Sequence, residues 1–297
     1  MARISKLRRA TFFPDSQSQV AVNRQPIQAS TGIHRHEFIE IVIVLSGHGV
    51  HVTEGVRHQV QAGDVLVVDS RRSHAYENTR SLNIVNLLIQ EDVFRETKKH
   101  LSTLPGYHAL FTLEPVRWRQ REFTSHLRLN AEDLKLVVGW VDALEEETRK
   151  KSEGGLLLAR AWIILIIGLL ARRYGGNAAN APCLEMRLGR VLSWIEQHAC
   201  EKLTMEDLAR QAAMSERTFL RRFREATGFA PIDYVIRARI RRATELLAGR
   251  NAELSITEIA FRCGFQDSNY FSRQFHRFLS TSPQSYRKHP RGGFADV

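Results

Sequence analysis

The sequence predicts an α+β protein in two halves, a β-barrel carrying a helical hairpin and then an all-α domain. Three observations carry this reading. Residues 20–90 hold short Val- and Ile-rich runs broken by Gly, the texture after Asp92 switches to helical spacing, and the last third contains an internal repeat. A chain of 297 residues fits two domains of roughly 150 residues each.

The first half is read strand by strand. Phe38–Leu45, Gly49–Thr53, Val56–Val60, Asp64–Asp69 and Leu82–Ile89 are short apolar runs with turn residues between them, the spacing of an all-β sandwich or barrel. Residues 1–18 read as a polar, basic arm. Asp92–Leu104 and Asn130–Lys150 have helical spacing. In the second, Leu134, Val137, Val138, Val141 and Leu144 share one face, with Asn130 as N-cap and Asp133 at the third helical position. Leu156–Tyr174 is a more apolar helix, and the short loop Ser152–Gly155 makes the two an antiparallel hairpin. The hairpin's apolar surface exceeds what one partner helix covers, so it packs on the barrel, forms a homodimer interface, or does both. Gly175–Pro182 (GGNAANAP) has no hydrophobic periodicity. Residues 175–183 are therefore expected to link a domain at 1–174 to a helical domain at 184–290.

Composition narrows the function class. A net charge of +11 and a pI near 10 favour a polyanionic partner. The excess does not locate the binding face, because residues 183–297 carry 19 Lys/Arg against 13 Asp/Glu and the remainder is also basic. Cys183, Cys200 and Cys263 have no metal-ligand spacing and are odd in number, which points to a reducing compartment. The N-terminus lacks the apolar segment of a signal peptide, and the longest apolar run, Ala161–Ala171, is shorter than the about 20 residues of a membrane span. A cytoplasmic protein without a membrane role is expected. No nucleophile elbow, phosphate loop or CxxC pair is present, so no enzyme and no cofactor is expected.

The repeat carries the functional argument. In 203–231 and 254–283, Leu208-Ala209 matches Ile259-Ala260 and Ala213 matches Gly264 at an offset of 51. One residue is then inserted, and Phe219, Arg221, Phe223, Pro231 and Tyr234 match Phe271, Arg273, Phe275, Pro283 and Tyr286 at an offset of 52. Each copy has the parts of a helix-turn-helix unit. A small Ala sits where the helices cross, a tight turn follows, and Ser215 or Asp267 caps the second helix. The Phe pairs hold that helix to the first. The opposite face presents Arg217, Thr218, Arg221 and Arg224 in one copy and Ser268, Asn269, Ser272 and Arg273 in the other. Arg matches guanine O6/N7 and Asn matches adenine N6/N7, so double-stranded DNA is the expected partner. Pro231–Leu247 between the copies reads as a rod of roughly 24 Å, suited to holding two helices in successive major-groove turns about 34 Å apart.

Residues 190–288, and above all IAFRCGFQDSNYFSRQFHRFLSTSPQSYR (259–287), resemble the DNA-binding domain of the arabinose-regulator (AraC/XylS) family of bacterial transcription regulators. RCGFQDSNYFS and HRHEFIEIVIV look most like the family's rhamnose-regulator branch. The resemblance implies two helix-turn-helix units on a linker helix and promoter activation. It also implies that the acidic Glu258 and Asp267 face RNA polymerase.

The N-terminal stretch GIHRHEFIEIVIVLSG fits the first cupin signature, so the barrel is expected to be cupin-like. On a strand His34, His36, Phe38 and Glu40 share a face, and two His with a carboxylate are able to hold a transition metal. The second signature keeps Gly55, Gly63 and Asp64 but has Gln61 for Pro and Leu66 where the last ligand His belongs. No metal is therefore expected. The resemblance implies a small effector, often a sugar, and His34, His36, Glu40, His74, Tyr76 and Asn86 are the candidates to hold it. Two alternatives remain: a metal-binding cupin sensor, or a regulator without a small ligand, controlled by a protein partner or by pH.

Overall fold

The computed structural model describes residues 5–289 apart from 14, 16–17, 71, 118–126, 151, 175–182 and 250–253. The expected linker, Gly175–Pro182, lies outside the described residues. Two compact units divide after Gly189.

The first unit is built on one mixed sheet of seven strands: β1 (Ser5–Leu7), β2 (Val20–Gln25), β3 (His34–His36), β4 (Ile39–Thr53), β5 (Val56–Gln61), β6 (Val65–Val68) and β7 (His74–Ile89). Its spine is the antiparallel pair β4–β7, in register from Ile39↔Ile89 to Thr53↔His74. Outside β4 lie β6 and β5. Outside β7 lie β2 and β3, and β1 runs parallel to β3.

The hydrogen-bonded path ends at β1 and at β5, so the sheet is not closed into the barrel that the sequence suggests. The expected runs Phe38–Leu45 and Gly49–Thr53 are one strand, and the expected Leu82–Ile89 extends back to His74. The long pair bends instead of ending. Register shifts between Val44 and Val50 take up the bend. Gly47 sits there at φ 76°, where a Cβ would meet Ser81 O at 2.1 Å.

The middle of β4 is buried on both faces, which explains a continuous apolar run instead of an alternating one. Ile41, Ile43, Val85 and Leu87 pack into a core shared with the helices, and Val42, Val44, Leu82 and Ile84 into a core on the opposite face.

The described part of residues 1–18 is not a free arm. β1 joins the sheet, a turn of helix α1 (Arg9–Phe12) follows, and Phe13 is 4% exposed, edge-on to Phe38 at 5.6 Å. Two adjacent Phe in a basic stretch bury enough apolar area to dock it.

Helices α2 (Glu91–Leu101), α3 (Pro105–His108) and α4 (Glu114–Arg117), with a π turn at Ala109–Leu113, lead to α5 (Ala131–Lys150) and α6 (Gly155–Arg173). Asn130 Oδ1 accepts the Asp133 N–H at 2.8 Å, capping α5. Helix α6 buries Ile163, Ile166, Ile167 and Leu170, while Leu157 (71% exposed), Leu158 and Leu165 face outward. By length and composition α6 is apolar enough to cross a membrane, the one such helix among the described residues.

Helix α7 (Leu184–His198) runs through the division into the second unit. There follow α8 (Met205–Gln211), α9 (Glu216–Thr227), α10 (Pro231–Ala248), α11 (Ile256–Arg262), α12 (Ser268–Leu279) and α13 (Pro283–Lys288).

Candidate functional site

The second unit repeats itself down to single hydrogen bonds. Thr204 caps α8 and exchanges bonds with Asp207, and Ser255 caps α11 and exchanges bonds with Glu258. The turns close with Met214 N–H donating to Ala209 O and Phe265 N–H donating to Ala260 O, both at 3.0 Å. Ala213 and Gly264 hold equivalent left-handed positions at φ 51° and 83°. The inserted residue is Gln266, because Met214 matches Phe265 before the gap and Ser215 matches Asp267 after it.

The second helix of each unit, α9 or α12, is pinned by Phe219 and Phe223 or by Phe271 and Phe275. All four are fully buried, each contributing about 1.5–3 kcal/mol. The faces opposite these anchors lie outward. Arg217, Thr218, Arg221 and Arg224 are exposed on α9. On α12 Asn269 and Arg273 are exposed, while Ser268 and Ser272 are half-buried and Ser272 Oγ donates to Ser268 O.

The basic residues of this unit fall into two groups. Arg237 stacks on Phe229 and Phe278, Arg239 donates to the Ala199 and Glu201 carbonyls, and Arg241 pairs with Glu196. These hold α10 in place. Arg217 and Arg224 make no ion pair among the described residues, and Arg221 pairs with the exposed Glu225, a surface pair of little worth.

Of the two polymerase candidates, Asp267 caps α12, accepting from the Asn269 and Tyr270 N–H groups. Glu258 also has a capping role, with Oε2 accepting from Ser255 N–H at 2.7 Å. The S-x-x-E spacing at 255–258 is the signal that sequence reasoning passed over.

In the first unit all six effector candidates line one cavity of about 360 Å³ on the sheet face opposite the helices. The pairing His34↔His74 sets β3 beside the start of β7, and the short bend before β4 returns Glu40 to the same place. His36 Nε2 and His74 Nε2 each lie 3.4 Å from Glu40 Oε2. These three atoms, the Tyr76 hydroxyl and Asn86 Oδ1 are buried and make no hydrogen bond. His34 is half-exposed and turned aside, its Nδ1 donating to Gly32 O at 3.0 Å. Leu66 is buried against Val42 in the adjoining core, so the signature position brings no imidazole, and the second ring beside Glu40 is His74 from β7.

The groups behind these were not predicted. His36 Nδ1 donates to the Phe38 carbonyl at 2.6 Å, and His74 Nδ1 meets His51 Nε2 at 3.0 Å, with Thr53 Oγ1 on His51 Nδ1. Period-two spacing puts His51 and Thr53 on one strand face, but their approach to His74 needs the β4–β7 register. Burial, with His58 and His34 nearby, pushes His51 down to about 3. Burial also drives His74 well below its usual value, against the pull of Glu40, so both rings are neutral at pH 7. Glu40 is opposed by its own burial, yet the surrounding histidines hold it below the usual carboxylate value, and it stays ionised. Burial keeps the Tyr76 hydroxyl protonated and able to donate.

A unit presenting two capped, basic helices and another enclosing a polar cavity define a DNA-binding transcription regulator. A helix-turn-helix domain model matches residues 208–289 and a cupin domain model residues 22–89. The chain is 34% identical over 284 residues to the HTH-type transcriptional activator RhaS of Shigella boydii, covering 95% of this chain and 96% of the relative. It is 33% identical over 278 residues to RhaS of an Enterobacter species, covering 93% and 95%. Among solved structures, the DNA-binding domain of AdpA in complex with a target DNA aligns at 39% identity over 36% of this chain and 98% of that one, with a TM-score of 0.33. The chain belongs to the AraC/XylS family of bacterial transcription regulators.

Proposed function

We propose that the protein is a cytoplasmic, effector-dependent transcription activator of sugar-catabolism genes, with rhamnose the first effector to test. The observation that carries the effector reading is the cavity. Its volume lies near the lower end of the about 300–1,000 Å³ of small-molecule sites, and it offers buried donors and acceptors that have no partner. Hydroxyl groups satisfy such atoms, and the Tyr76 ring offers a stacking face. The protein acts by binding and not as an enzyme. By linkage, effector and operator change each other's affinity equally.

Arg217, Thr218, Arg221, Arg224, Ser268, Asn269, Ser272 and Arg273 are the proposed DNA contacts. Glu258 and Asp267 are the proposed RNA polymerase contacts. Thermal unfolding of the full chain with a panel of sugars tests the effector. Rhamnose is expected to stabilise it, by about 2.7 kcal/mol at a hundredfold excess over Kd, and Glu40→Ala to remove the effect. A panel without any shift overturns the sugar.

The outward Leu face of α6 supports a homodimer without a membrane role. Sedimentation at tens of micromolar is expected to show a dimer for residues 1–175, and a monomer for Leu157→Glu. A wild-type monomer overturns the dimer.

A further inference from the structure

We infer that His36, Glu40 and His74 form a binding site for a divalent transition-metal ion, whose open positions face the cavity and receive two oxygens of the effector. The inference rests on the proposed effector reading for its second half only.

Geometry comes first. One donor atom from each residue lies within 4.8 Å of the other two, and all three residues are buried. His36 and Glu40 flank the bend between β3 and β4, whereas His74 arrives from β7, so the set is held by strand pairing instead of a single loop. Two imidazoles and a carboxylate suit zinc, iron(II), cobalt or nickel, and three protein ligands leave room for further ones.

A carbonyl only accepts, so the Phe38 carbonyl holds a proton on His36 Nδ1 and the other ring nitrogen, Nε2, is aimed at Glu40. Nε2 lies 3.4 Å from Glu40 Oε2, and neither buried atom makes a hydrogen bond. His74 Nε2 faces the same oxygen from the other side at the same distance. Three buried polar atoms that converge without a hydrogen bond are costly, and a cation at their meeting point would satisfy all three.

Both imidazoles are supported from behind. Metal-binding histidines bond through their other nitrogen to a carbonyl or another acceptor, which aims the free nitrogen. His36 does so through Phe38, and His74 is braced by His51, itself bonded to Thr53. Tyr76 and Asn86, also on the cavity wall, remain to hold the effector's other hydroxyls.

The test uses tag-free full-length protein, stripped with EDTA and titrated with Co²⁺ while visible absorption and heat are recorded. Expected is one ion per chain at micromolar or tighter Kd, with the d–d bands of nitrogen and oxygen ligation and no sulfur charge-transfer band. His74→Ala is expected to weaken binding about 100-fold, at least the effect of losing a supporting partner. Glu40→Gln, which keeps the shape, should do likewise if His74→Ala does not fold. The exposed His48→Ala should leave binding unchanged.

Absence of a stoichiometric site, or one that survives both substitutions, overturns the inference. Rhamnose is then titrated with and without metal. A tenfold or greater loss of sugar affinity in EDTA supports coordination of the effector. Equal affinity in both overturns the coordination half while leaving the sugar reading intact. Metal binding without sugar binding overturns the sugar reading and leaves the metal site standing.

Discussion

The two helix-turn-helix units share a backbone and differ in what they allow at one turn residue and what they offer to DNA. In the first, the left-handed position holds Ala213, which is exposed. In the second it holds Gly264, where a Cβ would meet Cys200 O at 2.5 Å. The turn carries a Cβ in the first copy, whereas in the second the backbone of Cys200, just past the end of α7, leaves no room for one. The recognition faces differ as well, with three of the four candidate contacts on α9 being Arg and mostly short polar groups on α12. The scaffold bonds are the same in the two copies, and the outward residues differ.

The largest effect is expected where the copies differ in packing. Gly264→Ala combines the left-handed penalty with a backbone clash and should destabilise the helical unit by about 2–4 kcal/mol. Ala213→Gly relieves strain and should stabilise it by up to about 1 kcal/mol. Thermal and denaturant unfolding read both, and equal responses would erase the distinction between the turns.

Next in size is readout. Arg217→Ala and Asn269→Ala should each cost about 1–3 kcal/mol at one base pair, at positions about 10 bp apart. Arg224→Ala should weaken all sequences alike and flatten the salt dependence by about one unit of slope. Selection from randomised DNA separates these outcomes. Relaxation of the same base pair by both mutants, or of none, would mean the two faces do not read separately.

The smallest effect concerns the matched capping boxes. Hydrogen bonds from Thr204 lower Asp207, and those from Ser255 lower Glu258. A carboxylate lowered by folding contributes stability above its unfolded pKa, and that contribution disappears as pH falls through the folded value. Both boxes should therefore weaken on acidification below about pH 4 and be insensitive near neutrality. Glu258→Gln keeps an acceptor for the box while removing the charge. If Glu258 touches RNA polymerase, this variant lowers transcription in a reporter assay at unchanged DNA affinity, whereas the equivalent Asp207→Asn does not. Equal responses would reduce Glu258 to its cap.

The helical unit was legible because its signals are local. Caps, the Phe spacing and the one-residue slip all lie within a few turns of chain, and the slip falls at the turn where it was expected. The cavity was legible in part. His34, His36 and Glu40 come from a contiguous motif, and His74, Tyr76 and Asn86 from the alternation of one strand.

The sequence by itself determined the class of each half, the repeat, its register and the outward basic faces, because each depends on periodicity and on neighbours a few residues apart. Only the tertiary structure decided the open sheet, the docking of Phe13, the capping role of Glu258 and the exchange of His34 for His74 beside Glu40. Those depend on strand register and burial between segments far apart in the chain. A histidine's partners are set by what the fold brings to it, and the second ring beside Glu40 comes from a strand that the signature does not include.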